Sequence, residues 1–322
     1  MQNAIFQSPI GPIQVQVIRR GANNSRVLFQ DGHCELVPTA SIVFQQVHVP
    51  SPKRMVPWTP LRTFYESLRD HRGDAAEKFR QLRLLLNDRH GPTDADFLGE
   101  LFCRSQTQVD AYDNRDEPFC EIGNRGASLA TPAFANHFVD LIADGTVQFE
   151  GVGAFKFVDY EINPLRTTRS CWENGKSATS SGAGGMDMLV VTLDEQQQFP
   201  AIAEIKAKTE TVGPTFALIQ ALAYAVELTT ASQWIRLGRH YLELLGTVCN
   251  DVRTPQLDLL ILLQGPVIQN DDLRFACDLA ENLLQQDQDR LRNSIRKIHF
   301  LDCQIEDGKA VIKNGSAAIS PV

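Results

Sequence analysis

The chain is short of cysteine, with seven in 322 residues, an odd total that includes no C-x-x-C pair. That spacing argues against a zinc cage and a disulfide framework, and for reduced thiols in a cytoplasm. Long hydrophobic runs are also missing. No stretch approaches the roughly 18–20 uninterrupted apolar residues of a membrane span. Met1-Gln2-Asn3-Ala4-Ile5-Phe6 lacks a basic segment followed by an apolar one, so no secretory signal is expected and a cytoplasmic location is. None of the seven histidines pairs with another at metal-ligand spacing, and no G-x-S-x-G elbow supports a serine hydrolase. Gly175-Lys176-Ser177 has the end of a nucleotide-binding loop but not its beginning, because Ser170 stands where the first glycine belongs. There is no internal repeat.

What is present is ordinary in bulk: 43% hydrophobic and 22% charged residues, as in a globular protein. The length suits two domains, or one larger domain with appendages. The net charge of -8 speaks against non-specific coating of nucleic acid, although binding depends on local potential. The charge is uneven: residues 1–92 hold 12 Lys/Arg against 7 Asp/Glu, so the remainder carries the acidic excess. A basic N-terminal part beside an acidic catalytic part suits a module that grips phosphates; a solvated charged surface accounts for the same counts.

Three regions follow from the patterning. Residues 1–50 read as a small β unit, with strand-like runs at 13–18, 26–30 and 34–37 and an Asp31-Gly32 hairpin signal. The order of strand, turn and Val37-Pro38 resembles Tudor-like or SH3-like small barrels, which read peptides, bind nucleic acid or brace a neighbour; a protein partner could dock there. Residues 51–128 read as a proline-punctuated linker, then helices through Leu61, Phe64, Tyr65 and Leu68, through Phe79, Leu82, Leu85 and Leu86, and through Phe97 to Phe102, then a polar loop over 104–128. Residues 129–322 read as an α/β domain. Thr131, Pro132 and Gly145 bound a helix. Strands follow at 155–162, 184–191 and 201–208, then helices at 215–228 and 233–245, a buried strand at 257–263, a helix over 271–297 and one or two strands over 298–311. Three successive strands form a meander and a later strand returns after helices, which predicts a mixed central sheet flanked by helices.

Within that domain Asp187 lies on one apolar strand and Glu204 and Lys206 on the next. Side chains alternate along a strand, so Glu204 and Lys206 share a face while Ala203, Ile205 and Ala207 take the other. A turn between the two strands brings Asp187 beside that pair. Two carboxylates and an ammonium in an apolar sheet are costly unless they neutralise one another or a metal. Carboxylates suit Mg²⁺, and a lysine beside a metal can orient water or offset phosphate charge. Gln220 and Tyr224 lie four residues apart on one helical face.

Asp187, a spacer of sixteen residues and Glu204-Ile205-Lys206 resemble the PD-(D/E)XK nuclease superfamily, which has the restriction-endonuclease-like fold. Gln220-Ala-Leu-Ala-Tyr224 resembles the Q-x-x-x-Y motif of its exonuclease-like branch. The resemblance spans about 130–265. It implies a Mg²⁺-dependent nuclease, with Mn²⁺ as a substitute, in which Asp187, Glu204 and the Ile205 carbonyl bind metal and Lys206, Gln220 and Tyr224 complete the catalytic set. DNA is the expected substrate, with restriction or mobile-element defence as a role and a homodimer for cutting both strands. The chain departs from the pattern at Met186, where a proline would precede the aspartate, and in the 131–144 helix, which lacks a metal-binding Glu. Glu161 or Glu150 could stand in for the latter. Arg166 and Arg169 could contact phosphates or lie on the surface. The alternative function is a non-catalytic nucleic-acid-binding or scaffold subunit that keeps the fold.

Overall fold

The computed structural model describes residues 2–8, 11–20, 24–29, 34–44, 58–69, 74–87, 94–111, 119–121, 146–149, 153–167, 185–194, 197–206, 212–246, 248–250, 255–264, 270–285, 289–306 and 309–319. In the N-terminal unit β1 (Gln2–Ser8), β2 (Gly11–Arg20), β3 (Asn24–Phe29), β4 (Cys34–Pro38) and β5 (Ile42–Phe44) form an antiparallel sheet in the order β4-β3-β2-β1-β5. Val15, Val17, Val27, Val37 and Ile42 make its small core, against which Phe6 and Phe29 pack. The expected hairpin strands are β3 and β4, which pair from Leu28 and Cys34 onward. The Asp31-Gly32 turn itself lies outside the described residues.

The rest of the chain begins with α1 (Pro60–Arg69), α2 (Ala75–Asn87) and α3 (Asp94–Asp110). Then come β6 (Phe119–Glu121), β7 (Thr146–Phe149), β8 (Gly153–Thr167), β9 (Met186–Asp194) and β10 (Gln197–Lys206). Helices α4 (Pro214–Leu228), α5 (Ala231–His240) and α6 (Leu242–Leu245) precede β11 (Leu257–Gln264). Helices α7 (Asn270–Gln285) and α8 (Asp289–Ser294), then β12 (Ile295–Glu306) and β13 (Lys309–Ile319), complete the order. The strands form one sheet in the order β13-β12-β11-β10-β9-β8-β6, with β7 also paired to β8. Strands β8, β9 and β10 meander antiparallel, β11 and β12 join β10 in parallel, and β13 returns antiparallel. The expected α/β architecture with a mixed, open sheet flanked by helices is therefore present.

Helix α4 organises this domain. All its residues are buried, as in a helix that is apolar on every side. It touches β10 and β11 as well as α1, α3 and α7. Alanines 217, 221, 223 and 225 keep its surface thin enough for those neighbours to approach. One hydrophobic cluster holds Leu61 and Tyr65 of α1, Phe102 of α3, most of α4, and Leu189, Ile202 and Ile261 of the sheet. The cluster thus crosses position 128, where the sequence reading drew a boundary.

Two expectations need correction. The stretch 104–128, expected to be loop, continues α3 to Asp110 and includes β6. Two of its polar residues are buried connectors: Ser105 Oγ accepts from the Leu61 N–H at 2.9 Å, and Gln106 Nε2 donates to Thr229 Oγ1 at 3.1 Å and Ser294 Oγ at 2.8 Å. The helix expected over 271–297 is instead α7 and α8, and 295–297 belong to β12, where Ile295 and Ile298 join the core beside β11. The helix expected over 131–144 lies outside the described residues.

The start of α4 shows how long-range packing sets a local boundary. Pro214 fills the first position, where no N–H is needed, and Gly213 offers no capping side chain. Asp272 of α7 supplies the cap, accepting from the Thr215 N–H at 3.1 Å and from its hydroxyl. A Cβ at position 213 would sit 1.9 Å from Asp272 Oδ2. We expect Gly213→Ala and Asp272→Ala each to lower stability by about 1–2 kcal/mol, the cost of a lost cap. In urea unfolding the double variant should lose little more than either single one; additive losses would show that the two do not act together.

Candidate functional site

The register of β8, β9 and β10 lines up three acidic positions. Ala203 pairs with Met188, so Glu204 stands next to Asp187 along the antiparallel ladder. Tyr160 pairs with Met188 and Ile162 with Met186, which places Glu161 opposite Asp187 on β8. The Glu161 side chain is outside the described set, as are the whole of Glu150, Arg169 and residues 175–177 and the side chain of Arg166.

The parity expected for β10 holds. Ala203 and Ile205 enter a cluster with Met188, Val190, Leu260 and Leu262 on one face. Glu204 and Lys206 take the face toward α4, where Lys206 Nζ donates to Gln220 Oε1 at 2.9 Å. Lys206 Nζ also donates to Glu204 Oε1 at 3.0 Å. Asp187 Oδ2 accepts from the Ile205 N–H at 2.7 Å, which ties β9 to the peptide between Glu204 and Lys206. Asp187, Glu204, Lys206 and Gln220 are therefore brought together.

Glu204 is 0% exposed, and among the described residues its Oε2 has no hydrogen-bond donor. Burial raises its pKa well above the ordinary carboxylate range, the Asp187 carboxylate adds to the rise, and Lys206 opposes it. Asp258, also 0% exposed, shows what a satisfied buried acid looks like in this fold. It accepts from Arg296 Nε at 2.9 Å on one oxygen and from Arg296 Nη2 and Thr192 Oγ1 on the other. The Arg296 guanidinium in turn lies 3.8 Å from the centre of the Phe199 ring. Buried polar groups are paired in native proteins, so the orphaned oxygen of Glu204 calls for a proton, a cation or a ligand. Among the described residues no three His, Cys, Asp or Glu side chains form a metal-binding group.

Tyr224 sits differently from Gln220. It is wholly buried, and its ring lies 4.5 Å from the Arg62 guanidinium of α1. Its pKa is raised, first by burial, with Arg62 opposing and Glu204 adding to the rise. Both residues are buried with the rest of α4.

Sequence reasoning missed the contribution of α1. The Tyr65 hydroxyl donates to Gln220 Oε1 at 2.6 Å. Burial pushes its pKa up to about 12, with Lys206 opposing and Glu204 adding to the rise. Arg62 pairs with Glu66 at 2.9 Å and also approaches the Tyr65 ring, at 5.8 Å. Burial opposes its charge, but Tyr224, Glu227 and Glu66 hold its pKa above the ordinary guanidinium value. The available signal was a tyrosine inside an apolar stripe, flanked by an Arg62-x-x-x-Glu66 pair at helical spacing.

Asp187, Glu204 and Lys206 leave one negative charge in excess when all three are ionised. A carboxyl with a raised folded pKa binds its proton more tightly in the native state. It stabilises the fold below the ordinary carboxylate range, and that contribution fades as pH climbs toward the folded value. Glu204→Gln should therefore melt above the wild type in chelator at pH 8, by a margin on the order of 1 kcal/mol per pH unit crossed, and match it near pH 4. A margin that does not change between pH 4 and 8 would mean that Glu204 is not the group held protonated.

No protein-family model, curated protein or solved structure matches this chain, so the site is read from its own geometry.

Proposed function

We propose that the chain is a Mg²⁺-dependent nuclease that hydrolyses phosphodiester bonds, with DNA as its substrate. The observation that carries the reading is the wholly buried, donor-less Glu204 Oε2 beside Asp187, with Lys206 on the same carboxylate. Restriction-endonuclease-like is the finer reading of the fold; the β8-β9-β10 meander followed by α4 supports it. The donor set suits a hard divalent cation, because carboxylate and carbonyl oxygens are what Mg²⁺ and Mn²⁺ prefer.

Asp187, Glu204 and the Ile205 carbonyl would hold the ion, and Glu161, opposite Asp187 in register, would be the third carboxylate. Bound there, a divalent ion supplies a water of lowered pKa and offsets charge on the phosphate oxygens. The chain's own groups do the rest. The Ile205 N–H fixes one Asp187 oxygen and so sets the direction of the other. Lys206, held between Glu204 and Gln220, keeps a positive charge where the phosphorus oxygens become more negative. Gln220 fixes the lysine, and Tyr224 with Arg62 fills the layer behind it. A role in restriction or mobile-element defence accords with this chemistry.

Asp187→Ala and Lys206→Ala should each reduce Mg²⁺- or Mn²⁺-dependent cleavage of DNA by about a hundredfold or more, in line with lost transition-state charge stabilisation. Equal, negligible activity of the wild type and both variants on DNA and RNA would instead mark the chain as a non-catalytic nucleic-acid-binding or scaffold subunit. By calorimetry, Glu161→Gln should weaken Mn²⁺ binding and Asp187→Ala should weaken it further. Unchanged affinity in the first would remove Glu161 from the ligand set.

A further inference from the structure

Gln220 Oε1 receives two donors from opposite parts of the fold. Lys206 Nζ approaches it from β10 at 2.9 Å, and the Tyr65 hydroxyl from α1 at 2.6 Å. An ammonium has donors and no acceptor, so the amide must turn its oxygen, not its nitrogen, toward Lys206. A single bond from one donor leaves an amide free to swing about its last torsion, whose preference is broad. A second donor on the same oxygen removes that freedom. Gln220 is 8% exposed, and its Nε2 makes no hydrogen bond with any described residue. Its two N–H donors are thus left to whatever enters the site.

Tyr65 is suited to the task. Its ring is anchored in the cluster with Leu61, Phe64 and Leu68, so the hydroxyl has little room to wander. The helix that carries it is pinned at its start, where Thr59 Oγ1 accepts from the Arg62 N–H at 3.1 Å and Ser105 Oγ accepts from Leu61. Burial keeps the phenol protonated and hence a donor across the neutral range. A phenylalanine would fill the same volume and lack only that bond.

We propose that Tyr65 is a positioning residue: it locks the Gln220 amide with its oxygen on Lys206, so that Gln220 Nε2 faces outward to donate to a phosphate oxygen of the bound nucleic-acid strand. This rests on the nuclease reading for its substrate, and on the hydrogen bonds alone for the locking. Helix α1 then belongs to the site, although it lies more than a hundred residues before Asp187 and outside the span of the family resemblance.

The test is a double-mutant cycle of Tyr65→Phe and Gln220→Ala, read as kcat/KM on a DNA substrate with Mg²⁺. Tyr65→Phe alone should lower kcat/KM by about tenfold, as a misplaced positioning group does, with the urea midpoint near that of the wild type. In the Gln220→Ala background it should lower it no further. An equal loss in both backgrounds, or no loss, would overturn the proposal. A second arm does not depend on cleavage. In ¹⁵N-labelled protein the Gln220 side-chain amide signals should lie away from those of a solvent-exposed glutamine and shift toward them, or broaden by exchange, in Tyr65→Phe. Identical signals in the two proteins overturn the locking, whatever the nuclease assay gives. That shift or broadening, with no cleavage by the wild type, would uphold the locking and reject the nuclease reading.

Discussion

Two carboxylates share a buried corner with one ammonium, and much of the domain is arranged around that imbalance. Charges about 4 Å apart in a protein-like medium interact on the order of 4 kcal/mol, so a like-charged pair is a large fraction of a domain's net stability. Lys206 offsets one of the two acids through Glu204 Oε1, and the Ile205 N–H offsets part of the other. Glu204 Oε2 is left over. The same fold shows at Asp258 that it can satisfy both oxygens of a buried acid when it holds a structural one. An apolar residue at position 204 would avoid the cost altogether. The persistence of an unpaired carboxylate oxygen under α4 is therefore better explained by something it must bind than by something it must hold together.

Position depends on α4. Gln220 can meet Lys206 only if α4 lies flat against β10 and β11, and α4 can do so only if its far side is also covered. That covering comes from α1, α3 and α7, whose polar contributions are specific rather than general. Asp272 caps the start of α4, Gln106 holds Thr229 at its end, and Tyr65 and Arg62 reach its middle. The helix is thus fixed at three heights by side chains from three different helices. A one-turn slip would break all three sets of contacts at once, and this gives the site its rigidity without a disulfide.

Much of this was legible because the period of the sequence and the burial of the chain agree. The runs expected at 184–191, 201–208 and 257–263 contain β9, β10 and β11 over their described residues, and the alternation along β10 alone puts Glu204 and Lys206 on one face. Polar residues in buried roles were not legible. Ser105 and Gln106 read as loop because hydrophilic composition is a proxy for exposure, and the proxy fails where each polar atom finds a partner on another helix. Tyr65 read as apolar because its ring matched the stripe and its hydroxyl was not counted. The end of α8 is of the same kind: Ile295 and Ile298 fit a helical stripe, but the neighbouring strand β11 recruits them by pairing. Such pairings join positions far apart in sequence, which local periodicity does not encode.

The local charge also bears on the order of events. On the proposed reading the phosphate backbone meets a chain of net charge -8. Asp187, Glu204 and Lys206 together add one negative charge at the spot where the phosphate must sit, which repels it. Protonating Glu204 brings the local charge to zero but occupies the oxygen that the ion needs. A divalent cation instead brings the three side chains to a local charge of plus one and satisfies the orphaned oxygen in the same step. Metal and substrate then bind with positive coupling: the ion lowers the barrier to the phosphate's approach, and the phosphate oxygens raise the affinity for the ion by the same factor. The proton on Glu204 competes with both, so cation affinity falls with acidity through that one carboxyl. On this reading, the imbalance that costs stability is what would make the site respond to a cation.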